Sequence, residues 1–248
     1  MCRDPVTIIT VARNGFFFTR LLVEQVRENT RDRDFEIVVV DRGSRDGSRA
    51  WLRQQRDVRL LPFAQWRTRG HGHGEAAEHA VRRARFERIV LLDFDAHPMS
   101  PHWLVDSVDR LDAHHRLAGA VFADKHKGNP HGWYVHPHFM AFFKSDLGGL
   151  IVLRKVRGDD TDTGEEATIR MLVAGHGVIG HEIRFCKRLR VAHDRVPTEA
   201  GGVFHAWYSS RLENNEAAVI RETNGLVTRA LYLEPLKNRL REAYGLSY

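Results

Sequence analysis

The stretch Arg88-Ile89-Val90-Leu91-Leu92-Asp93-Phe94-Asp95 is apolar from its second residue until it meets two acids. Such a short apolar run predicts a strand over Arg88–Asp93 that is buried on both faces, as is typical of parallel sheets. Side chains two positions apart in a strand project to the same side, so we expect Asp93 and Asp95 to point together. Ligands of open α/β sheets bind beyond the carboxyl ends of the strands. The stretch therefore predicts two carboxylates at a ligand-binding edge.

The segments upstream of this strand alternate between strand and helix patterns. Apolar runs predict strands at Val6–Val11, at Glu36–Asp41 and at Val58–Leu61, the last closed by Pro62. Helical patterns lie from Phe17 to Val26, around Ala50–Leu52 with Ser44 as the N-cap, and through Ala76–Ala84. This alternation indicates an α/β fold, with a Rossmann-like, mostly parallel central sheet flanked by helices.

The pattern is less regular after residue 115. It predicts strands at Leu117–Phe122 and Trp133–Phe143, a helix at Ala167–Ala174 that Gly175 stops, and a helical tail over Leu226–Tyr244. No linker rich in Pro, Ser or Gly separates the two halves, and no internal repeat is present. We therefore expect a single domain over residues 1–248.

Composition excludes several classes of protein. With 248 residues, 42% hydrophobic and 28% charged, the chain is neither disordered throughout nor collagen-like. Its two cysteines, Cys2 and Cys186, cannot build a disulfide framework or a four-thiolate zinc site. The longest apolar runs are far shorter than the ~20 residues that span a bilayer, and the first one follows Asp4 and Pro5, unlike a secretory signal. We expect a cytoplasmic protein without a transmembrane segment.

The formal charge of +6 favours anionic partners, but the basic residues are spread along the chain in no long block. A nucleic-acid binder would leave the two acids after the fourth strand unexplained, so we expect no nucleic-acid partner. Paired carboxylates suit Mg²⁺ or Mn²⁺, which usually bind through one or two carboxylates together with substrate phosphates. Such a pair is common by chance, so the surrounding sequence decides whether the two acids indicate a metal site.

Four segments in the first half resemble the family 2 glycosyltransferases, whose fold is called GT-A. Val6–Asn14 is similar to their first strand and its loop, and Glu36–Ser48 to their second strand, in which an Asp precedes N-G-S-x-D-G-S. Gly72–Ala84 is similar to their glycine-led helix, and Leu91–Pro98 to their D-x-D segment. The order and spacing agree over roughly the first 110 residues.

The resemblance implies a metal-dependent, inverting glycosyltransferase that moves a sugar from a nucleoside-diphosphate sugar, UDP- or GDP-linked, to an acceptor hydroxyl. Residues 1–115 would bind the donor, and residues 116–248 would bind the acceptor and carry the catalytic base. The resemblance implies that Asp41 contacts the base or ribose of the donor and that Thr10, Ala12 and Asn14 line the same pocket. It also implies that Asp93 binds the ribose, the metal or a metal-bound water, that Asp95 ligates Mn²⁺ or Mg²⁺, and that Phe94 between them contacts the donor.

The chain departs from the family pattern at several positions. Arg42 stands where Asn is common, Val11-Ala12-Arg13 replaces Pro-Thr-Tyr, and His71, His73 and His79 stand in the segment where Asn is usual. These positions leave the base and the sugar of the donor open.

The second half resembles the family less closely. The family places its catalytic carboxylate before a helix that ends in Ala-Gly, which matches the acidic segment Asp159–Glu166 and the pair Ala174-Gly175. Asp162 is the first candidate for the base and Glu165 the second; the alternative is a helix cap, where acids are favoured by the helix dipole.

Further residues of the second half are candidate ligands. The resemblance implies His205 as a third metal ligand, with Trp207 and Tyr208 near enough in sequence to stack on a sugar, and Arg211 as a phosphate partner. A structural His and a surface Arg are the alternatives. His136 and His138 lie two apart on a predicted strand and could suggest a zinc site, but two further ligands at zinc spacing are missing. Hydrogen bonds to the acceptor, or no function at all, are the favoured alternatives.

Two other classes of function fit the sequence less well. A sugar nucleotidyltransferase needs a glycine-rich phosphate loop after the first strand, and Ala12-Arg13-Asn14-Gly15 has a single glycine. A catalytically degenerate GT-A protein would bind sugar nucleotide or a partner without transfer, and the retained acids oppose it. The sequence leaves the acceptor and the oligomeric state undetermined.

Overall fold

The computed structural model describes residues 3–63, 72–123, 129–154, 162–189, 197–207, 209–223 and 225–248. The expectations stated above for Cys2, for His71, for residues 159–161 and for Tyr208 lie outside these residues.

The strands and helices follow one another in an α/β order. The strands are β1 (Val6–Ala12), β2 (Phe35–Asp41), β3 (Val58–Pro62), β4 (Arg88–Asp93), β5 (Ala96–Pro98), β6 (His115–Ala123), β7 (Trp133–Phe143), β8 (Gly177–Glu182), β9 (Arg184–Phe185), β10 (Thr198–Ala200) and β11 (Val203–His205). The α-helices are α1 (Phe16–Asn29), α2 (Ser48–Gln54), α3 (Gly72–Val81), α4 (Glu165–Val173), α5 (Ser209–Glu222) and α6 (Glu234–Tyr244). No helix in the described ranges is both long enough and apolar enough to cross a membrane.

The larger sheet has seven strands in the order β3-β2-β1-β4-β7-β6-β8. Strand β1 pairs in parallel with β2 and with β4, and β2 pairs in parallel with β3. Strand β7 is antiparallel to both of its neighbours, β4 and β6, whereas β6 and β8 are parallel. The predicted α/β class with a mostly parallel central sheet is therefore confirmed.

Both faces of this sheet are covered, which explains why its strands read as continuous apolar runs. Ile8 and Val90 belong to one buried cluster, together with the apolar face of α1. Ile9 and Leu91, which point the opposite way, belong to a second cluster with the alanines of α3. Helix α3 approaches closely at Gly74, where a β-carbon would lie 2.0 Å from the carbonyl oxygen of Leu153.

A smaller antiparallel sheet has the order β5-β11-β10-β9 and brings the segment that ends at His205 to β5, which follows the end of β4. In its first ladder, His205 lies opposite Ala96, the residue that follows Asp95. The main-chain N–H of Ala206 donates to the carbonyl oxygen of Asp95 at 3.0 Å, which continues the pairing. This small sheet therefore brings a histidine from residue 205 to the acids that follow β4.

Two predicted details are wrong. Helix α2 begins at Ser48 after Gly47, so Ser44 is not its N-cap. The Ser44 hydroxyl instead accepts the main-chain N–H of Asn14, and Asp46 accepts both the main-chain N–H and the hydroxyl of Ser48. The C-terminal tail is not one regular helix either: a π-helical turn over Arg229–Leu233 precedes α6. The expectation of a single domain over residues 1–248 remains a prediction.

Asp46, which precedes α2, also caps the N-terminus of α1. Helix α1 has no side-chain cap from Gly15, and the Asp46 carboxylate accepts the main-chain N–H groups of Gly15 and Phe16 at 2.5 and 2.7 Å. Burial raises the pKa of Asp46, but these bonds and those from Ser48 outweigh it and hold the pKa below its usual value. The carboxylate therefore stabilises the fold in its ionised form.

We expect Asp46→Ala to lower the free energy of unfolding by about 1–2 kcal/mol at pH 7, measured by urea denaturation, as for the loss of other helix caps. Because the folded-state pKa is depressed, the contribution is complete above the unfolded-state value of ~3.9 and is lost as the pH falls through the folded-state value. Asp34→Ala, at an exposed position, is the control, with an effect within about 0.5 kcal/mol. An equal loss in both variants would contradict the capping role.

Candidate active site

A cavity of about 500 Å³ opens at the carboxyl edge of the large sheet. It lies over the ends of β1, β2 and β4, because Val11 is paired with Asp93 and Ala12 with Asp41. The lining residues are Val11, Ala12, Arg13, Arg42, His73, Asp93, Phe94, Asp95, His136, Pro137, Asp162, Thr163 and Asn214.

Asp93, Asp95 and His205 form a cluster that could hold a metal ion. One ligand atom from each residue lies within 4.8 Å of the others, and among the described residues this is the single group of three or more candidate ligands at such spacing. The Nε2 atom of His205 is 3.6 Å from Oδ1 of Asp95 and 3.8 Å from Oδ2 of Asp93. Asp93 ends β4, Asp95 follows two positions later, and the β5–β11 ladder supplies the histidine.

Neighbouring side chains hold these three groups in place. The hydroxyl of Ser209 donates to Oδ2 of Asp95, and the ring of His138 stacks on that of His205, with centroids 4.3 Å apart and planes at 5°. The ring of Trp207 meets His205 edge-on at 4.8 Å. Such outer partners orient metal ligands and usually matter nearly as much as the ligands themselves.

The cluster fits a divalent cation on chemical grounds. Two carboxylates are turned toward one imidazole nitrogen, and both Asp95 and His205 are buried. Bringing two carboxylates together in a buried site is costly unless a positive charge joins them. Oxygen donors with one imidazole are compatible with Mn²⁺, whereas Mg²⁺ prefers oxygen ligands throughout. The residues present therefore fit a divalent metal, with Mn²⁺ the better match.

Asp162 lies on the other side of the cavity, above the first half of β7. Its Oδ2 atom accepts the hydroxyl of Tyr134 at 2.7 Å and lies 3.4 Å from Nε2 of His136. Burial raises the pKa of this carboxyl, but His136, Tyr134 and the main-chain N–H of Thr163 outweigh burial and lower the pKa to about 2. Asp162 is therefore an ionised hydrogen-bond acceptor that faces the cavity at neutral pH.

Glu165, the second candidate base, has a different environment. It is 1% exposed, does not line the cavity, and accepts the main-chain N–H of Asp162 at 3.2 Å. Glu165 is the first residue of α4, where the helix dipole favours an acid, and its carboxylate ties down the segment that precedes the helix. The helix-cap alternative describes Glu165, and the placement favours Asp162 as the base.

His136 and His138 connect the two sides of the site. Their Nδ1 atoms are 2.8 Å apart, His136 faces Asp162, and His138 stacks on His205. Burial, followed by the charges of His205 and His136, holds the pKa of His138 well below its usual value, so His138 is neutral. The two histidines thus contact one another and the site just described, and they belong to no separate group of three described ligands at zinc spacing.

Only some of the other predicted donor-binding residues line the cavity. Ala12 and Phe94 line the cavity, and the Asn14 side chain donates to Asn214, which also lines it. Thr10 and Asp41 are buried and lie outside the lining.

Asp41 and Arg211 already have protein partners. Oδ1 of Asp41 accepts the main-chain N–H of Ser44 at 3.0 Å, and Oδ2 lies 3.6 Å from Nε of Arg49. Arg211 pairs with Glu222 on its own helix and does not line the cavity. Their assignments to the donor remain predictions.

Four residues of the site had no role assigned from the sequence. Nε2 of His73, at the start of α3, is 3.6 Å from Oδ1 of Asp93. Tyr134 orients Asp162, and Ser209 orients Asp95. Asn214 reaches the cavity from α5. No sequence pattern identifies them, since each acts through a contact between distant segments; only the histidine content of the Gly72 segment was a signal.

A comparison with protein-family models finds one match, "Glycosyl transferase family 2", over residues 7–172. A comparison with curated proteins gives no significant match.

Two solved structures show the same fold. The mannosyltransferase PcManGT from Pyrobaculum calidifontis, in complex with GDP-Man and Mn²⁺, is similar over 99% of this chain and 76% of its own, with a TM-score of 0.56 and 18% identity. Glucosyl-3-phosphoglycerate synthase from Mycobacterium tuberculosis, in complex with Mn²⁺, UDP and glucosyl-3-phosphoglycerate, covers 71% of this chain and 70% of its own, with a TM-score of 0.51 and 14% identity.

The environment of Asp162 gives a direct test of the geometry. We expect Tyr134→Phe to raise the pKa of Asp162 by on the order of one unit, because the variant removes a hydrogen bond to the ionised form. A carbon-detected NMR titration of the aspartate carboxyl groups measures this value. Tyr248→Phe removes a hydroxyl that donates to Glu24 and is the control. An unchanged or lower pKa in Tyr134→Phe would show that the hydroxyl does not stabilise the carboxylate.

Proposed function

This chain belongs to glycosyl transferase family 2, and we propose that it is a metal-dependent, inverting glycosyltransferase that moves a sugar from a nucleoside-diphosphate sugar to an acceptor hydroxyl. The observation that carries the proposal is the joint presence, around one cavity, of the Asp93–Asp95–His205 cluster and the ionised carboxylate of Asp162. Both solved structures described above contain Mn²⁺ with a nucleotide or nucleotide sugar, which supports the choice of metal and of donor class.

The metal site would consist of Asp93, Asp95 and His205. A bound Mn²⁺ supplies positive charge to the diphosphate as it leaves the sugar. Ser209 and His138 keep Asp95 and His205 turned toward the same point. Because these contacts exist in the protein itself, little reorganisation is needed when the donor binds.

Asp162 would receive the proton of the acceptor hydroxyl. With its pKa lowered to about 2, the carboxylate is a weak base, and it cannot remove the proton before attack begins. The hydroxyl becomes strongly acidic once its oxygen bonds to the sugar, so proton transfer follows bond formation. Tyr134 and His136 direct the accepting oxygen of Asp162, and attack from the side opposite the leaving diphosphate inverts the anomeric centre.

The donor would extend away from Asp162 along the carboxyl edge of the sheet. Ala12 and Phe94, which line the cavity, would contact it, and Asn14 would act through its bond to Asn214. Thr10 and Asp41, which are buried outside the lining, would act from beneath the cavity floor. Arg211 would have to leave Glu222 to reach a phosphate. In this arrangement residues 1–115 bind the donor, and the second half of the chain binds the acceptor and supplies the base.

Metal dependence is the first test. We expect UDP or GDP to bind at least about tenfold more tightly with Mn²⁺ than with EDTA, measured by titration calorimetry, because the cation offsets the repulsion between diphosphate and carboxylates. Asp95→Asn should remove most of this difference while the far-UV circular dichroism is retained. Glu28→Gln, at an exposed position on α1, should behave as wild type. Equal affinity with and without metal in the folded wild-type protein would reject the metal site.

The catalytic base is the second test. We expect Asp162→Asn to lower kcat by ~10²–10⁴ with little change in donor affinity, because the amide keeps the size of the carboxylate but cannot accept the proton. Turnover is measured as nucleoside diphosphate released in the presence of a hydroxyl acceptor.

Glu165→Gln is the matched variant. It should leave kcat within a few-fold of wild type and lower stability instead, since Glu165 is bonded to the main chain. A large loss in Glu165→Gln with none in Asp162→Asn would transfer the role of the base to Glu165. A product that retains the donor's anomeric configuration by NMR would reject the single-displacement mechanism.

A further inference from the structure

The guanidinium groups of two arginines in the cavity wall pair with no acid in the described part of the chain. Arg13 and Arg42 both line the cavity, and no ion pair joins either guanidinium group to an acid within 4.0 Å among the described residues. Nε of Arg42 is buried and has no hydrogen-bond acceptor in the described part of the chain. Burial and the neighbouring charge of Arg13 lower the pKa of Arg42, and the carboxylate of Glu75 partly offsets this effect. The wall thus offers hydrogen-bond donors, such as Nε of Arg42, that no described residue accepts.

The sheet determines where this wall lies relative to the metal cluster. Arg13 and Arg42 directly follow Ala12 and Asp41, which are paired in the β1–β2 ladder, and Asp93 is paired with Val11 on the other side of β1. Neighbouring strands are ~4.8 Å apart, so Arg42 leaves the sheet about 10 Å from Asp93. Asp162 lies beyond Asp93 in the opposite direction, above β7.

This order assigns the wall to one part of the donor. The diphosphate belongs at the metal cluster, and the sugar must reach the acceptor at Asp162. The nucleoside is attached to the other end of the diphosphate, so it extends toward β1 and β2. The carboxylate of Glu75 offsets part of the positive charge of Arg42, so the wall is less strongly positive than two arginines alone, which suits a neutral polar base better than a further phosphate.

We propose that Arg13 and Arg42 recognise guanine, so that the donor is a GDP-sugar rather than a UDP-sugar. Resting on the proposed function, this assignment adds the identity of the base. A guanidinium group donates two parallel hydrogen bonds, and guanine presents two adjacent acceptors, O6 and N7, on one edge. Uracil has a donor between its two carbonyl groups, and adenine replaces O6 by an amino group, so neither matches the guanidinium. The two solved structures contain GDP-Man and UDP respectively, so the fold alone does not decide the base.

The first experiment compares four nucleotides on the full-length wild-type chain with Mn²⁺, by titration calorimetry. GDP and IDP share O6 and N7, so both should bind on the order of tenfold more tightly than ADP and UDP. UDP or ADP binding as tightly as GDP would overturn the assignment of the base and leave the proposed function standing. If GDP bound far more tightly than IDP, recognition would depend on the 2-amino group of guanine. A guanidinium group cannot accept a hydrogen bond from that amino group, so this result would also overturn the assignment of the base. No binding of any nucleotide would overturn the proposed function itself.

The second experiment separates recognition of the base from attraction to phosphate. Arg42→Lys keeps the positive charge but loses the paired donors, so the ratio of GDP to UDP affinity should fall by about tenfold while UDP affinity stays nearly unchanged. Arg13 is exposed, so Arg13→Lys leaves the core unchanged, and it should lower the same ratio of affinities. Arg45→Lys, exposed in the same loop and outside the cavity lining, is the control. An equal loss of GDP and UDP affinity in Arg42→Lys would mean a phosphate contact and would overturn the assignment.

Discussion

The parallel pairing of β1 with β2 and with β4 is the constraint on which the site depends. Parallel strands in register must end at the same edge, so the residues after Ala12, Asp41 and Asp93 leave the sheet side by side. Both faces of these strands are buried, so a slip of one residue would exchange their side chains between two cores that are packed for different shapes. Hydrophobic burial thereby positions the polar groups of the cavity, although none of them takes part in the core.

The second half of the site is built by antiparallel pairing. Strand β7 pairs with β4 only from Phe139 onward, so its first residues extend beyond the edge where β4 ends. His136 and His138 lie in that extension, and Tyr134 directs Asp162 from the same strand. The short β5–β11 ladder then brings in His205. Stacking of His138 on His205 joins the Asp93–Asp95–His205 cluster to the side of the cavity that carries Asp162.

Electrostatics divides the cavity into three zones. Guanidinium groups that form no ion pair with a described acid lie over β1 and β2. Carboxylates that suit a cation lie at the end of β4, and an ionised carboxylate supported by a histidine and a tyrosine lies above β7. A nucleoside diphosphate sugar has the same succession of chemistry along its length: a polar base, an anionic diphosphate and a reactive anomeric carbon. The order of strands in the sheet thus matches the order of groups in the proposed donor.

The sequence by itself determined the α/β class and the strands and helices of the first half, because these follow from short apolar runs. It also predicted that Asp93 and Asp95 converge, although Asp95 lies in the turn between β4 and β5 and not in the strand itself. Ser44 was misassigned as a cap because Asp46, two residues later, takes the main-chain N–H groups of two helices. Only the tertiary structure decided that His138 stacks on His205, that Asp162 rather than Glu165 faces the cavity, and that Arg13 and Arg42 share one wall. The physical reason is that these contacts join residues far apart in the chain, and their geometry depends on strand register and loop paths that local sequence periodicity does not encode.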